Sequence, residues 1–308
     1  MGVRELTRRS RHSPVNLRRT SPALALRPTR EPTHRRVLVG TATALCLLGL
    51  VSGCGSDDSG EPPPSPTPER YFPDETRGAA NLLSTIDQIR ERLRQLPGRA
   101  GILAEPRRYS LFDEELIIRD FFQDRRGGTF IDVGCAWPTD ANNTYYLEKH
   151  LDWRGIGIDA LAEYGPAWEQ ARPSSHFFSF LVTDHSGTEE SFFRSESTGL
   201  SSADRSRADG SHFGDDLEVE ETRVRSITLD VLLDREGIER IDLLALDIEG
   251  HELQALRGID LDRFRPELVV VEGRRKDVAV HLDAAGYEVI ERYLRFDPIN
   301  TYYRRRAD

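Results

Sequence analysis

Four acidic residues close four short apolar runs: Asp132 in FIDVG, Asp159 in GIGID, Asp247 in LLALDIEG and Glu272 in VVVEG. A short apolar run that ends on a turn signal reads as a buried strand. A carboxylate at such an end loses hydration unless it has something to bind. One alone could be a helix cap, whereas four at matching positions point to a site. Carboxylates grouped in this way can accept hydrogen bonds from hydroxyls, take a proton from an acceptor, or hold a cation. Glu249, His251 and Glu252 follow Asp247 within five residues and extend the titratable set.

The loop after the first run, Gly134-Cys135-Ala136-Trp137-Pro138-Thr139-Asp140, limits what can bind there. Gly134 lets a ligand approach the backbone closely. A pyrophosphate needs a glycine-rich helix N-terminus. Trp137, Pro138 and Asp140 instead supply bulk, a missing N–H and a negative charge, so a dinucleotide-dependent oxidoreductase is disfavoured. Asp159 stands where a carboxylate accepts hydrogen bonds from ribose hydroxyls. A nucleoside without phosphate that carries a sulfonium cation and an amino-acid tail suits this rim, and S-adenosylmethionine is the expected cofactor.

The elements that must hold these residues alternate. Strands are expected at 129–133, 155–159, 176–182, 241–247, 268–272, 287–291 and 301–304, with helices near 113–122, 142–150, 163–171, 228–236, 251–257 and 276–285. That alternation predicts an α/β, Rossmann-like fold with a mostly parallel seven-stranded sheet and helices on both faces. Ligands of such sheets sit beyond the carboxyl ends of the strands. Leu82, Ile86, Ile89, Leu93 and Leu96 have helical spacing and predict a further helix before Pro97-Gly98. Residues 195–226 read as a polar insertion of the kind that forms a lid or selects substrates.

Asp247 is the first choice for a base or acceptor orienter. Glu249 and Glu252 are further catalytic candidates, and His251 and Glu272 are candidates for substrate contact. Glu252 would lie in the first turn of a helix, where the dipole alone favours a carboxylate, so its structural and functional readings both stay open. Thr228 reads as an N-cap, with Asp230 structural beside it. Cys135 suits a small packing residue. Asp247, Glu249 and Glu272 could offer oxygens to a divalent cation, but no His or Cys spacing supports zinc and no metal is assigned.

The chain of 308 residues carries a net charge of -10. Residues 1–53 hold ten Arg against two acidic residues, a local +8, which leaves -18 on the rest. So acidic a body argues against nucleic-acid binding. The three cysteines lack disulfide or metal spacing. Residues 1–36 read as a disordered basic segment. Residues 37–54 read as a signal or anchor: Arg35-Arg36, an apolar run from Val37 to Val51, then Ser52-Gly53-Cys54. This resembles a bacterial lipoprotein signal with Cys54 as the lipidated residue. Residues 55–77 form a Pro-rich tether. The expected location is membrane-anchored, with a cytoplasmic location as the alternative.

FIDVGC, SITLDVLL, IDLLALDIEGHELQALRG and RPELVVVEG resemble the FkbM-type methyltransferases over about residues 109–304. The most specific element is Asp247-Ile248-Glu249-Gly250-His251-Glu252, joined by Thr228-Leu229-Asp230 and by Gly199-Leu200-Ser201-Ser202. The resemblance implies a class I S-adenosylmethionine-dependent methyltransferase over residues 78–308, acting on oxygen of a sugar, another glycan or a small metabolite. It implies that Asp132 and Gly134 line the methionine side of the cofactor, Asp159 the ribose and Asp184 the adenine. Ser201 and Ser202 fall on the substrate side. Ala245 stands where many members carry lysine, and a later glycine of the first loop is missing. An exported lipoprotein that keeps the fold as a catalytically inactive binding module is the alternative.

Overall fold

The computed structural model describes residues 109–307, apart from 112, 113, 198, 212 and 213. The expected helix at 78–96, the tether and the Cys54 signal lie outside the described residues. In chain order the strands are β1 (Thr129–Val133), β2 (Arg154–Asp159), β3 (Ser175–Ser179), β4 (Leu181–Val182), β5 (Glu189–Ser195), β6 (Val219–Ile227), β7 (Leu243–Leu246), β8 (Leu268–Glu272), β9 (Tyr287–Val289) and β10 (Asn300–Arg305). The helices are α1 (Glu114–Phe122), α2 (Tyr145–Leu151), α3 (Gly165–Ala171), α4 (Arg205–Ala208), α5 (Leu229–Arg235), α6 (Glu252–Arg257), α7 (Leu261–Phe264) and α8 (Lys276–Ala284).

Seven strands form one sheet in the order β3-β2-β1-β7-β8-β10-β9. β1, β2, β3, β7 and β8 pair in parallel, and β10 runs antiparallel to both β8 and β9. The α/β, Rossmann-like architecture expected from the alternation is therefore present. From β1 the chain moves outward to β2 and β3, then returns to β7 on the other side of β1. The switch point lies between β1 and β7, where such sheets bind ligands.

Period-2 alternation divides the central strands between two cores. Ile131, Val133, Leu244, Leu246, Val269 and Val271 pack with residues of α5, α6 and α8 on one face. Phe130, Leu243, Ala245, Leu268, Val270 and Tyr302 pack with α1 and α2 on the other. Each fully buried Leu or Val contributes about 1.5–3 kcal/mol, so strands buried on both faces hold the rim rigidly. Continuing the alternation by one step puts Asp132, Asp247, Glu272 and Asn300 on the second face, at its open edge.

The region after β3 corrects the reading of 195–226 as one polar loop. The expected strand at 176–182 breaks at Phe180, whose N–H bonds to Asp159 O at 3.0 Å. Leu181 and Val182 then leave the main sheet and pair with Ser226 and Ile227 of β6. β6 pairs antiparallel with β5 from Glu189↔Arg225 to Ser195↔Val219, so the insertion is a long hairpin. Its charged side chains face water and each other: Arg223 donates to Ser191 Oγ at 2.8 Å, and Ser191 to Glu221 at 2.6 Å. Charged cross-strand partners of this kind support a strand in sequence that reads as a loop. Among the described residues, no helix is long and apolar enough to cross a membrane.

Candidate active site

A cleft opens at the switch point, lined by Asp132, Gly134 and Asn142 on one side and by Asp247 and Asn300 on the other, with an empty volume of about 330 Å³ including its mouth. Gly134, at φ +79°, crosses the end of β7 so closely that a Cβ there would lie 2.7 Å from the Asp247 carbonyl carbon and nearer still to its oxygen. The Gly134 N–H bonds to Ile158 O at 2.8 Å, and the Asp247 N–H to Val133 O at 3.0 Å. The ends of β2, β1 and β7 are thus tied side by side.

Asp132 is buried, and its Oδ2 accepts from Thr144 Oγ1 at 2.7 Å and Asn142 Nδ2 at 3.2 Å. Burial pushes its carboxyl up, while Thr144, the Arg172 charge and Asn142 pull the other way. Arg172 is fully buried, paired with Glu148 at 2.5 Å, and donates to Pro138 O, Asn142 Oδ1 and Thr144 Oγ1 at 3.0, 3.1 and 3.1 Å. This network sets the whole 138–144 loop. Sequence reasoning missed Arg172 because its partners lie 24 to 34 residues away.

Asp159 accepts the Ala136 N–H at 3.0 Å and the Leu161 N–H at 2.8 Å. It therefore braces the first loop while standing at the end of β2. Burial raises its carboxyl to about 6, against the pull of those two amides. Asp184 is placed elsewhere. It is exposed just past β4, bonds His185 Nδ1 at 2.8 Å, and contributes to the field at His251, not at Asp159.

After β7 the chain makes a tight turn through Glu249 at φ +52° and Gly250 at φ +95°. A non-glycine residue in the left-handed region is uncommon, and such strain gathers at functional sites. The turn leaves one carboxylate oxygen each of Asp247, Glu249 and Glu272 within 4.8 Å of one another. Asp247 is reachable from solvent through the cleft mouth but walled in by protein. That poor hydration, with the Glu272 charge next, holds its carboxyl well above the usual range. Burial first and Asp247 second raise Glu249 to about 8. Burial first, then Glu249 and Glu252, raise Glu272 to about 8. The Asp247 and Glu272 carboxyls stand close enough that each shifts the other, and the two titrate together.

The remaining candidates hold this turn. Glu252 is buried, accepts the Gly250 N–H at 2.8 Å and pairs with Arg275 at 2.9 Å, so both its oxygens are engaged. His251 bonds Thr183 Oγ1 through Nε2 at 3.1 Å, and burial lowers its proton affinity. Ser202 donates to Glu249 O at 2.9 Å, while Ser201 Oγ accepts the Ser195 N–H at 3.1 Å. The hairpin thereby reaches the turn. Its helix α4 also brings Arg207 against Gly250, where a Cβ would lie 2.7 Å from Arg207 Cδ. The Arg207 charge opposes the rise at both Glu249 and Glu272. Together Arg207 and Arg275 supply positive charge near the position where Ala245 offers none. Neither was singled out from the sequence, since each lies far along the chain from Asp247.

A family model described as the methyltransferase FkbM domain matches residues 129–289, more than half of the chain. The chain belongs to the FkbM methyltransferase family. The matched span runs from β1 to β9 and takes in Asp132, Asp159, Asp247 and Glu272, while Asn300 of β10 lies beyond it. No curated protein matches this FkbM chain. Among solved structures it is similar to a TehB-like SAM-dependent methyltransferase from Corynebacterium glutamicum, at 12% identity and a TM-score of 0.35 over 73% of this chain and 100% of that one. It is also similar to a SAM-dependent methyltransferase from Aquifex aeolicus, at 14% identity and TM-score 0.30 over 72% and 96%. A putative methyltransferase from Thermobifida fusca YX matches at 10% and 0.34 over 71% and 94%.

Proposed function

We propose that this FkbM chain transfers the methyl group of S-adenosylmethionine to a hydroxyl of a sugar or small metabolite. The observation that supports this best is that Asp247, Glu249 and Glu272 each place a carboxylate oxygen within 4.8 Å of the others, with Asp247 lining the cleft where an acceptor hydroxyl must give up its proton. In this reading Asp159 accepts the ribose hydroxyls while it braces Ala136, and Gly134 admits the cofactor to the loop backbone. Asp132, already engaged by Thr144 and Asn142, sets the loop on the methionine side. Bound there, the cofactor would supply the methyl group to the acceptor oxygen, with the C–S bonding pair kept by sulfur. The hydroxyl proton passes to the carboxylate of Asp247. Glu249 is the alternative proton acceptor, while Glu252 and His251 position the turn.

The test is transfer of label from methyl-labelled S-adenosylmethionine to a panel of sugars and hydroxylated metabolites, with Asp247→Asn alongside. Label in an O-methyl product, lost in Asp247→Asn at unchanged cofactor affinity, is the expected result. A folded protein that binds cofactor and labels no hydroxyl in the panel would favour the inactive binding module. The lipid anchor at Cys54 is a separate proposal that rests on the Val51–Cys54 signal. Fatty-acid labelling that persists in Cys54→Ala would remove it.

A further inference from the structure

The β7 turn receives a positive charge from outside the main sheet, and the hairpin segment delivers it. Ser202 is 1% exposed and exchanges two backbone hydrogen bonds with Phe193 of β5, at 2.9 and 3.0 Å. Its Oγ donates to Glu249 O at 2.9 Å and accepts the Asp204 N–H at 3.0 Å. Asp204 caps α4 by accepting the Ser206 N–H at 2.9 Å, and Ala208 of that helix is fully buried. The start of α4 is therefore fixed both to β5 and to the turn. From this helix Arg207 packs against Gly250, where a Cβ would lie 2.7 Å from both Cδ and Cζ of the arginine. Gly250 is suited to its φ of +95° in any case, and its bare Cα leaves room for the guanidinium.

Arg207 differs from the other arginine at the turn. Arg275 donates to Gly250 O and is engaged by Glu252 and Asp277 at 2.9 and 2.6 Å. Arg207 is half-buried and has no ion pair within 4.0 Å and no side-chain hydrogen bond among the described residues. A charge held by packing in this way acts on its surroundings through its field. On its own element it stands with Asp204, Arg205 and Asp209. Around it are Asp247 at the end of β7, Glu249 and His251 of the turn, Glu252 of α6, Glu272 of β8 and Arg275 before α8, with Glu114 of α1 acting on Asp247. Its charge opposes the effect of burial at Glu249 and at Glu272.

We infer that Arg207 is a positioning residue: seated on the turn by the hairpin segment, it keeps one carboxylate of the Asp247, Glu249 and Glu272 cluster ionised and ready to take the acceptor's proton. The inference rests on the methyl-transfer reading and adds to it the reason why a poorly hydrated cleft still offers a base. Carboxyls so close titrate as a set, and a cation beside two of them lowers the proton affinity of the set. Without Arg207, burial and mutual repulsion would keep protons on the set at neutral pH. Arg207 acts through the carboxylates and on no reacting atom itself.

The experiment is a carboxyl titration by ¹³C NMR of the full-length protein labelled at the glutamate carboxyl carbons, with Glu249→Gln and Glu272→Gln assigning the two signals. Arg207→Gln and Arg207→Met remove the charge, Arg207→Lys keeps it, and Arg205→Gln removes an exposed charge from the same helix. Circular dichroism checks that each is folded. The neutral variants at 207 should raise the midpoints of Glu249 and Glu272 by about 1 pH unit, with Arg207→Lys and Arg205→Gln near the parent. Midpoints that stay in place, or that rise equally in Arg205→Gln, overturn the role. Loss of folding in both neutral variants makes the residue structural and overturns it as well. Methyl transfer gives the second readout. The acid limb of kcat should move to higher pH in Arg207→Gln at unchanged KM for S-adenosylmethionine, a change that a purely structural loss does not produce. Moved midpoints with no label reaching any acceptor keep the charge effect and remove the methyl-transfer reading. Transfer with the parent's pH profile in Arg207→Gln removes the role of Arg207 alone.

Discussion

Replacing Gly134 by alanine tests the packing on which the cleft depends. The residue holds φ +79°, and its absent Cβ would fall 2.7 Å from the Asp247 carbonyl carbon. A side chain in the left-handed region costs about 1–2 kcal/mol. Forcing atoms into a packed space costs a further ~1–3 kcal/mol. The expected loss is therefore about 2–5 kcal/mol, which a domain of ordinary stability survives in folded form. Gly127 supplies the control, because it holds φ +69° with nothing within 4 Å of its absent Cβ. Gly127→Ala should lose only the backbone share, about 1–2 kcal/mol. Urea unfolding followed by tryptophan fluorescence measures both, and calorimetry measures cofactor affinity in both. Gly134→Ala should be the less stable variant and should bind S-adenosylmethionine at least tenfold more weakly, since its Cβ pushes the β1 loop off the end of β7. Equal stabilities and equal affinities in the two variants would refute the close approach of these strand ends.

Two further perturbations follow from the network and from the acidic cluster. Arg172→Met leaves Glu148 buried without its charge partner and strips donors from Pro138, Asn142 and Thr144. Removal of one member of a buried pair costs about 3–5 kcal/mol, so the denaturation midpoint should fall sharply, and a change below about 1 kcal/mol would contradict the network. The folded-state value of about 8 for Glu272 lies above its ordinary 4.5, so the folded chain holds the extra proton between those two pH values. The stability this contributes is complete below about 4.5 and is lost as pH rises through 8. Glu272→Gln should then be more stable than the parent at pH 9, on the order of 1–3 kcal/mol, and show less gain at pH 6. Melting curves at the two pH values check it; an identical pH dependence in both proteins would count against the burial of that carboxyl.

The strand ends were legible because parallel strands buried on both faces read as unbroken apolar runs, as in Leu243–Leu246 and Leu268–Val271. A charged residue closing such a run is visible without any structure, which is how Asp132, Asp159, Asp247 and Glu272 were found. The β5–β6 hairpin was harder to see. Its strands lean on charged cross-strand partners such as Arg223 and Glu221, and only Phe192 and Val224 of the two join a small buried cluster. Arg172, Arg207, Arg275 and Asn300 escaped for another reason. Each meets the site through sheet order or register, as Asn300 meets Glu272 across β10 and β8. No local pattern carries that information. The double engagement of Glu252 was equally hidden, because Arg275 lies 23 residues further along the chain.

In the proposed reading the cleft binds S-adenosylmethionine with its ribose on Asp159. Calorimetric titration of the cofactor into the full-length protein and into Asp159→Ala, each checked for folding, tests it directly. Hydrogen bonds to an ionised carboxylate contribute about 1.5–3 kcal/mol, so the account predicts one site per chain and an affinity roughly 10- to 100-fold weaker in Asp159→Ala. A folded parent that binds no S-adenosylmethionine, or a variant that binds it as tightly as the parent, would contradict the account.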